Sequence, residues 1–140
     1  MIKNIVIKPN FIITSHGKSK PQPKPNLFEM HNIARKKAQA PPLTINDRLE
    51  EAAVKHADWM AKHDKVQHQN LKTFLGKPWR MVAENVAAYY INNEAVMRGW
   101  LESKGHKANI LNPKFTHIGI GTAKHGKKIY WCCVFGSKKS

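Results

Sequence analysis

Eight His, nine Asp or Glu and two Cys are the groups in this 140-residue chain that could bind a metal or move protons. Their spacing narrows the chemistry. No His-Glu-x-x-His string sets two imidazoles on one helix face, so the helical metalloprotease pattern is absent. No zinc-finger spacing occurs, and no Ser or Cys nucleophile with a base is recognisable by motif. Cys132 and Cys133 are neighbours. On a strand, adjacent side chains point to opposite faces, so this pair makes no ordinary structural disulfide. His31 precedes Arg35 by one helical turn, and such an Arg is suited to capping a helix carboxyl end or pairing with an acid. His56 and His63 read as core-edge residues along one helix, and His117 and His125 fall in a strand and a turn with no partner evident.

These groups need elements to hold them. Asn26 after Pro25 is a plausible N-cap for a helix with Leu27, Met30, Ile33 and Ala34 at helical spacing, ended by Pro41 and Pro42. Asp47 with Glu50 reads as a capping box, and Leu49, Ala52, Ala53, His56, Trp59 and Met60 draw an apolar stripe through about His63. After a loop, RMVAENVAAYY reads as a third helical stretch. NNEAVMRGWLES reads as a fourth, capped by Asn93 and ending near Gly105, and GHKANILNP as a single turn stopped by Asn112 and Pro113.

The period then changes from helix to strand. THIGIGTA and IYWCCVFG, joined around Gly126, read as a β-hairpin. Ile129, Trp131, Cys133 and Phe135 share one face of the second strand, and Tyr130, Cys132 and Val134 the other. Both faces are apolar, so this strand is expected to be covered from both sides. His117, Gly119 and Gly121 share a face of the first strand, where the missing side chains admit a helix backbone. The expected class is α+β, an αβα sandwich with a small antiparallel sheet covered by helices on both faces.

Four strings in order, HNIAR at 31–35, the His of VQHQN at 68, AENVA at 83–87, and WLESKGHKANILNP at 100–113 running into HIGIG and YWCCVFG, resemble the CAP superfamily. That superfamily takes its name from cysteine-rich secretory proteins, antigen 5 and pathogenesis-related proteins, and its domain is also called the SCP domain. The resemblance covers residues 27–136 and is nearest to short bacterial-type members without disulfides. It implies an αβα sandwich and a cleft lined by two His and two Glu, carried here onto His68, Glu84 and His106. Where relatives place the second Glu, three residues after the matching Trp, this chain has Ser103, with Glu102 one position earlier. A one-residue offset on a helix is a rotation of about 100°. Ala83 replaces a usual Gly, and Cys133 a usual Gln.

Two neutral imidazoles and a carboxylate form a good donor set for a divalent metal with open positions, Zn²⁺ in particular, with His68 and His106 as the candidate ligands. The competing reading has both His simply tying Glu84 and backbone groups together. Asn85 and Asn109 are expected to tie loops to backbone. Tyr89, Tyr90 and Trp79 are candidates for a cleft wall open to a small molecule, lipid or glycan. The resulting expectation is a binding or effector module. The alternatives are a metal-dependent, peptidase-like hydrolase with Glu84 as catalytic base, and nonspecific attachment to anionic surfaces or nucleic acid.

The last alternative rests on charge. Lys and Arg number 24 against 9 acids, a formal net charge of +15, which favours anionic partners. Lys dominates over Arg, however, and no specific nucleic-acid motif is present. Residues 1–26 carry five Lys and no acid and read as a basic Pro/Lys-rich arm, with a short strand expected at Ile5 to Ile7 or Phe11 to Ile13. Residues 27–137 read as the folded domain and 138–140 as a basic tail. No apolar run approaches the roughly 20 residues of a membrane span, and a monomer is expected. The family resemblance suggests an extracellular position, although Lys8, Pro9 and Asn10 break the apolar stretch that a secretory signal would need.

Overall fold

The computed structural model describes residues 23–138, so the strand expected in the basic arm and the end of the basic tail lie outside it. Helix α1 (Leu27–Lys37) opens on Asn26 as expected. The Asn26 side chain accepts from the Glu29 N–H and the Glu29 carboxylate accepts from the Asn26 N–H, both at 2.8 Å. Of the expected apolar set Leu27 is buried and Met30 and Ala34 pack partly buried against the core, Ile33 is exposed, and the fully buried positions one and two turns after Leu27 are His31 and Arg35. The residues one turn apart facing the core are thus two of the three polar ones in that motif.

Strand β1 (Thr44–Ile45) leads into helix α2 (Asp47–His63). The N-cap is Asn46, not Asp47: its side chain accepts from the Arg48 and Leu49 N–H groups, because Asp47 already has helical backbone. A face made of Leu49, Ala52, Ala53, His56, Ala57 and Met60 is buried, and the helix stops at Asp64, whose φ of 50° lies in the left-handed region. A short helix α3 (Leu71–Leu75), capped by Asn70, follows in what reads from sequence as loop.

Residues expected to form a third helix instead form strand β2 (Trp79–Ala88). Ala and Glu give this segment a local preference for helix, but it pairs along its length with β4 (Lys128–Lys138), from Trp79↔Lys138 to Ala88↔Tyr130. Long-range pairing and burial override the local preference. Helix α4 (Asn93–Leu101) is capped by Asn92, one residue before the expected Asn93. Helix α5 (Lys104–Leu111) is eight residues long rather than a single turn.

Strand β3 (His117–His125) and β4 form the expected hairpin, turning at Gly126, whose φ is 62°. The sheet order is β1-β3-β4-β2, antiparallel except that the two-residue β1 runs parallel to β3. Every residue from Tyr130 to Ser137 is buried. Tyr130, Cys132 and Val134 pack with α2 and α3, while Trp131, Cys133 and Phe135 pack with α1, α4 and α5. That division is the αβα sandwich. At Gly119 an added Cβ would lie 2.2 Å from the Leu49 and Glu50 backbone, and at Gly121 2.5 Å from that of Ala53. The two glycines let α2 lie directly on the sheet.

Candidate functional site

Strand alternation sends the side chains of β2 into different layers. Val86 packs with α2 and α3, and Ala87 with α1, α4 and α5. By the same alternation Glu84 faces the α2 layer and Asn85 the α5 layer. Because β2 is the outer strand of the sheet, the two halves of the site meet around its free edge.

On the α2 side, the left-handed turn at Asp64 reverses the chain, and His56 Nε2 lies 2.5 Å from the Gln67 carbonyl, pinning the segment that carries His68. His56 is therefore an anchor rather than only a core-edge residue. His68 Nδ1 lies 2.8 Å from Glu84 Oε1, which also accepts from the Gln69 N–H at 3.2 Å. Glu84 Oε2 accepts from Gln69 Nε2 at 2.7 Å and from Cys132 Sγ at 3.5 Å. Four donors thus saturate a carboxylate whose side chain is 4% exposed, beneath an imidazole that is 65% exposed. An acceptor at Nδ1 selects the Nδ1–H tautomer and leaves Nε2 as a lone-pair donor directed away from Glu84.

On the α5 side, His106 Nδ1 lies 2.8 Å from Ser103 Oγ. Asn85 Nδ2 donates to the His106 carbonyl at 3.1 Å, and Asn109 Nδ2 donates to Asn85 Oδ1 at 2.9 Å. Asn85 and Asn109 tie the start of α5 to the sheet. Burial, and after it the proximity of His68, hold the His106 pKa below the usual imidazole value, so His106 is neutral at neutral pH. Trp100 Nε1 donates to the Val86 carbonyl at 3.2 Å and fixes α4 on the same edge.

The sequence-derived site residues therefore divide. His68 and Glu84 are in contact, and Asn85, Asn109, Ser103 and His106 form a second connected group. Glu102 is exposed at the end of α4, where its charge, after burial, raises the pKa of Tyr90. Gln69 and Cys132 are additional members. The alternation of the β4 strand already put Cys132 opposite Cys133, but nothing marked Gln69 beyond its place beside His68. Burial raises the pKa of both thiols, and both are free.

A cavity of about 590 Å³ opens beside this network, lined by His68, Gln69, Asn70, Leu71, Lys72 and Glu84. The aromatic wall lies elsewhere. Tyr90 crosses Gly99, where an added Cβ would come within 2.3 Å of its hydroxyl, and Trp79 covers Gly136 and meets the His117 ring at 5.9 Å. Tyr89 is at the far end of β2, 62% exposed. Among the described residues, no three His, Cys, Asp or Glu groups come together as a metal-holding set.

Residues 28–135 match the family model for the cysteine-rich secretory protein family, CAP. The uncharacterized protein YkwD of Bacillus subtilis is 33% identical over 109 residues, 71% of this chain and 42% of that protein. The chain thus spans less than half the length of that relative. Among solved structures, an outer surface protein of Borrelia burgdorferi superposes with a TM-score of 0.73 at 23% identity, covering 81% of this chain and 90% of that one. An extracellular SCP-domain protein of Bacillus anthracis gives 0.70 at 28% identity, covering 80% and 39%. A more distant neighbour, NaASP2 with Zn²⁺, gives 0.59 at 14% identity, covering 80% and 81%.

Proposed function

The chain belongs to the cysteine-rich secretory protein (CAP) family, and from that premise we propose that it is a binding module whose cleft takes a small ligand or a divalent cation at the outer edge of β2. The supporting observation is the His68–Glu84 contact: a saturated, buried carboxylate holds an exposed imidazole at 2.8 Å with its second nitrogen free. A metal-ligating His commonly donates its other ring N–H to a carboxylate in this way.

His68 and His106 would hold such an ion, Zn²⁺ being the natural probe. NaASP2 offers a neighbour of the same fold with that metal. Glu84 serves here as the group that orients His68. Its four donors leave no lone pair poised to take a proton from water, so the arrangement favours binding over hydrolysis. An extracellular setting is part of this reading, by likeness to the outer-surface and extracellular neighbours.

Calorimetry with Zn²⁺ alone tests the proposal. Wild-type protein is expected to bind weakly, and His68→Ala combined with His106→Ala to abolish the heat while circular dichroism remains unchanged. Equal binding by the wild type and the double variant would overturn it.

A further inference from the structure

The cleft leaves unused the end of the sandwich where β2 runs out and the β3–β4 hairpin turns. Three observations meet there. First, Tyr89 has a φ of 75°, a backbone conformation that a bulky L-residue rarely adopts, and it is held there by its N–H donating to the Ile129 carbonyl at 3.0 Å. Second, Tyr89 and Ile91 are 62% and 77% exposed, the two largest exposures among the large hydrophobic side chains of the described residues. Third, Lys124 and Lys127 are exposed on the adjoining hairpin, and Lys128 Nζ stands 5.3 Å from the Tyr89 ring centroid.

The carboxylate in contact with this hairpin, Asp64, is already engaged. It accepts from Lys128 Nζ at 3.0 Å and from the Tyr130 hydroxyl. The end of the sheet therefore presents cations and an outward Tyr-x-Ile tip with no free acid in that contact.

We propose that this end is a docking surface for an anionic lipid bilayer. Each component matches one layer of such a membrane. Lys side chains are drawn to the negative leaflet surface, a Tyr ring rests at headgroup level, and an aliphatic side chain reaches the acyl boundary. A soluble polyanion would use the lysines but gain nothing from Ile91, which is why the bilayer is favoured over nucleic acid or an acidic polysaccharide. The inference is independent of the cleft and of any metal.

Sedimentation with vesicles of phosphatidylcholine alone, or containing roughly one third phosphatidylglycerol, tests it on the full chain. The wild type is expected to partition onto the anionic vesicles only, less so as salt rises. Lys124→Glu with Lys127→Glu should weaken partitioning at least about tenfold, since each lysine near such a surface counts appreciably. Tyr89→Gly with Ile91→Ser should weaken it about fivefold, by loss of buried apolar area, with the salt dependence unchanged. The glycine also relieves the backbone at Tyr89, so folding is expected to persist. Lys104→Glu with Lys107→Glu, on α5, is the equal-charge control and should change binding less than about twofold. Absence of wild-type binding, an equal loss in the α5 control, or full binding by the Tyr89 and Ile91 variant would each overturn the proposal. The last result would assign the lysines to a soluble polyanion.

Discussion

His68 Nδ1 and Glu84 Oε1 lie 2.8 Å apart across a steep change of exposure, the ring 65% and the carboxylate 4% exposed. The buried partner comes from the sheet and the exposed one from an irregular segment. The rigid element therefore sets the geometry and the loop supplies access. The burial of Glu84 is tolerable because all four of its contacts are donors.

Glu84→Gln tests that arrangement. The amide keeps the shape but puts an NH₂ group where two donors converge, so at least one N–H or S–H loses its acceptor. A loss of about 1–3 kcal/mol is expected, with divalent affinity reduced about tenfold as His68 loses its fixed tautomer. Urea unfolding and calorimetry read the two effects separately. Wild-type stability in the variant would show that the carboxylate anchors nothing.

Gly119→Ala addresses the fit of α2 on the sheet. The new methyl would lie 2.2 Å from helix backbone, which cannot move aside as a side chain could. The helix must lift, at an expected cost of about 3 kcal/mol or more. Gly105→Ala is the matched opposite: it lies in α5 with nothing within 4 Å of the added Cβ, and should stabilise by about 0.5–1 kcal/mol through helix propensity. Thermal denaturation of both variants checks the sign as well as the size.

The contrast between those glycines is also a measure of what the sequence discloses. Gly119 and Gly121 on one face of a strand announce a close helix, and the two apolar faces of Tyr130 to Phe135 announce a strand covered on both sides. Both are period-two statements and need no partner to be read. β2 is different: Met81 to Ala88 carries helix-forming residues, and only its pairing with β4, far along the chain, makes it a strand. The same limit applies to the site. The resemblance to relatives brings out His68 and Glu84, but Gln69 and Cys132 complete the carboxylate through contacts that only the folded chain creates.

Arg35 yields a prediction of a different kind. It is fully buried without a carboxylate, its guanidinium donating to the carbonyls of Pro41 at 2.7 Å, Ile110 and Asn112 at 2.9 Å, and Phe115 at 3.1 Å. It thus caps the end of α5 and ties that helix to α1. Lys has one nitrogen and cannot span four carbonyls, so Arg35→Lys is expected to lose about 2–4 kcal/mol. Chemical denaturation that finds the two proteins within about 0.5 kcal/mol, the scale of an ordinary surface change, would remove the capping role.

His31 makes stability depend on pH, and the sign follows from its surroundings. Its Nδ1 lies 2.8 Å from the Leu27 carbonyl, while Nε2 is buried with no partner, beside the Trp100 and Phe135 rings at 6.2 and 5.7 Å. Protonation would put a charge and an unmet N–H into that apolar pocket. Burial accordingly lowers the pKa from 6.5 to about 4. Between those values the unfolded chain binds a proton that the folded chain refuses. The contribution of His31 to stability is therefore complete above pH 6.5, declines as pH falls, and levels off below about 4. At about 1.4 kcal/mol per pH unit the total is on the order of 3 kcal/mol. His106, also lowered by burial, contributes with the same sign. His31→Phe keeps the ring and removes the titration. Urea midpoints at about pH 7.5 and about pH 4.5 should differ much less in the variant than in the wild type, and an equal drop in both would assign the acid sensitivity to other groups.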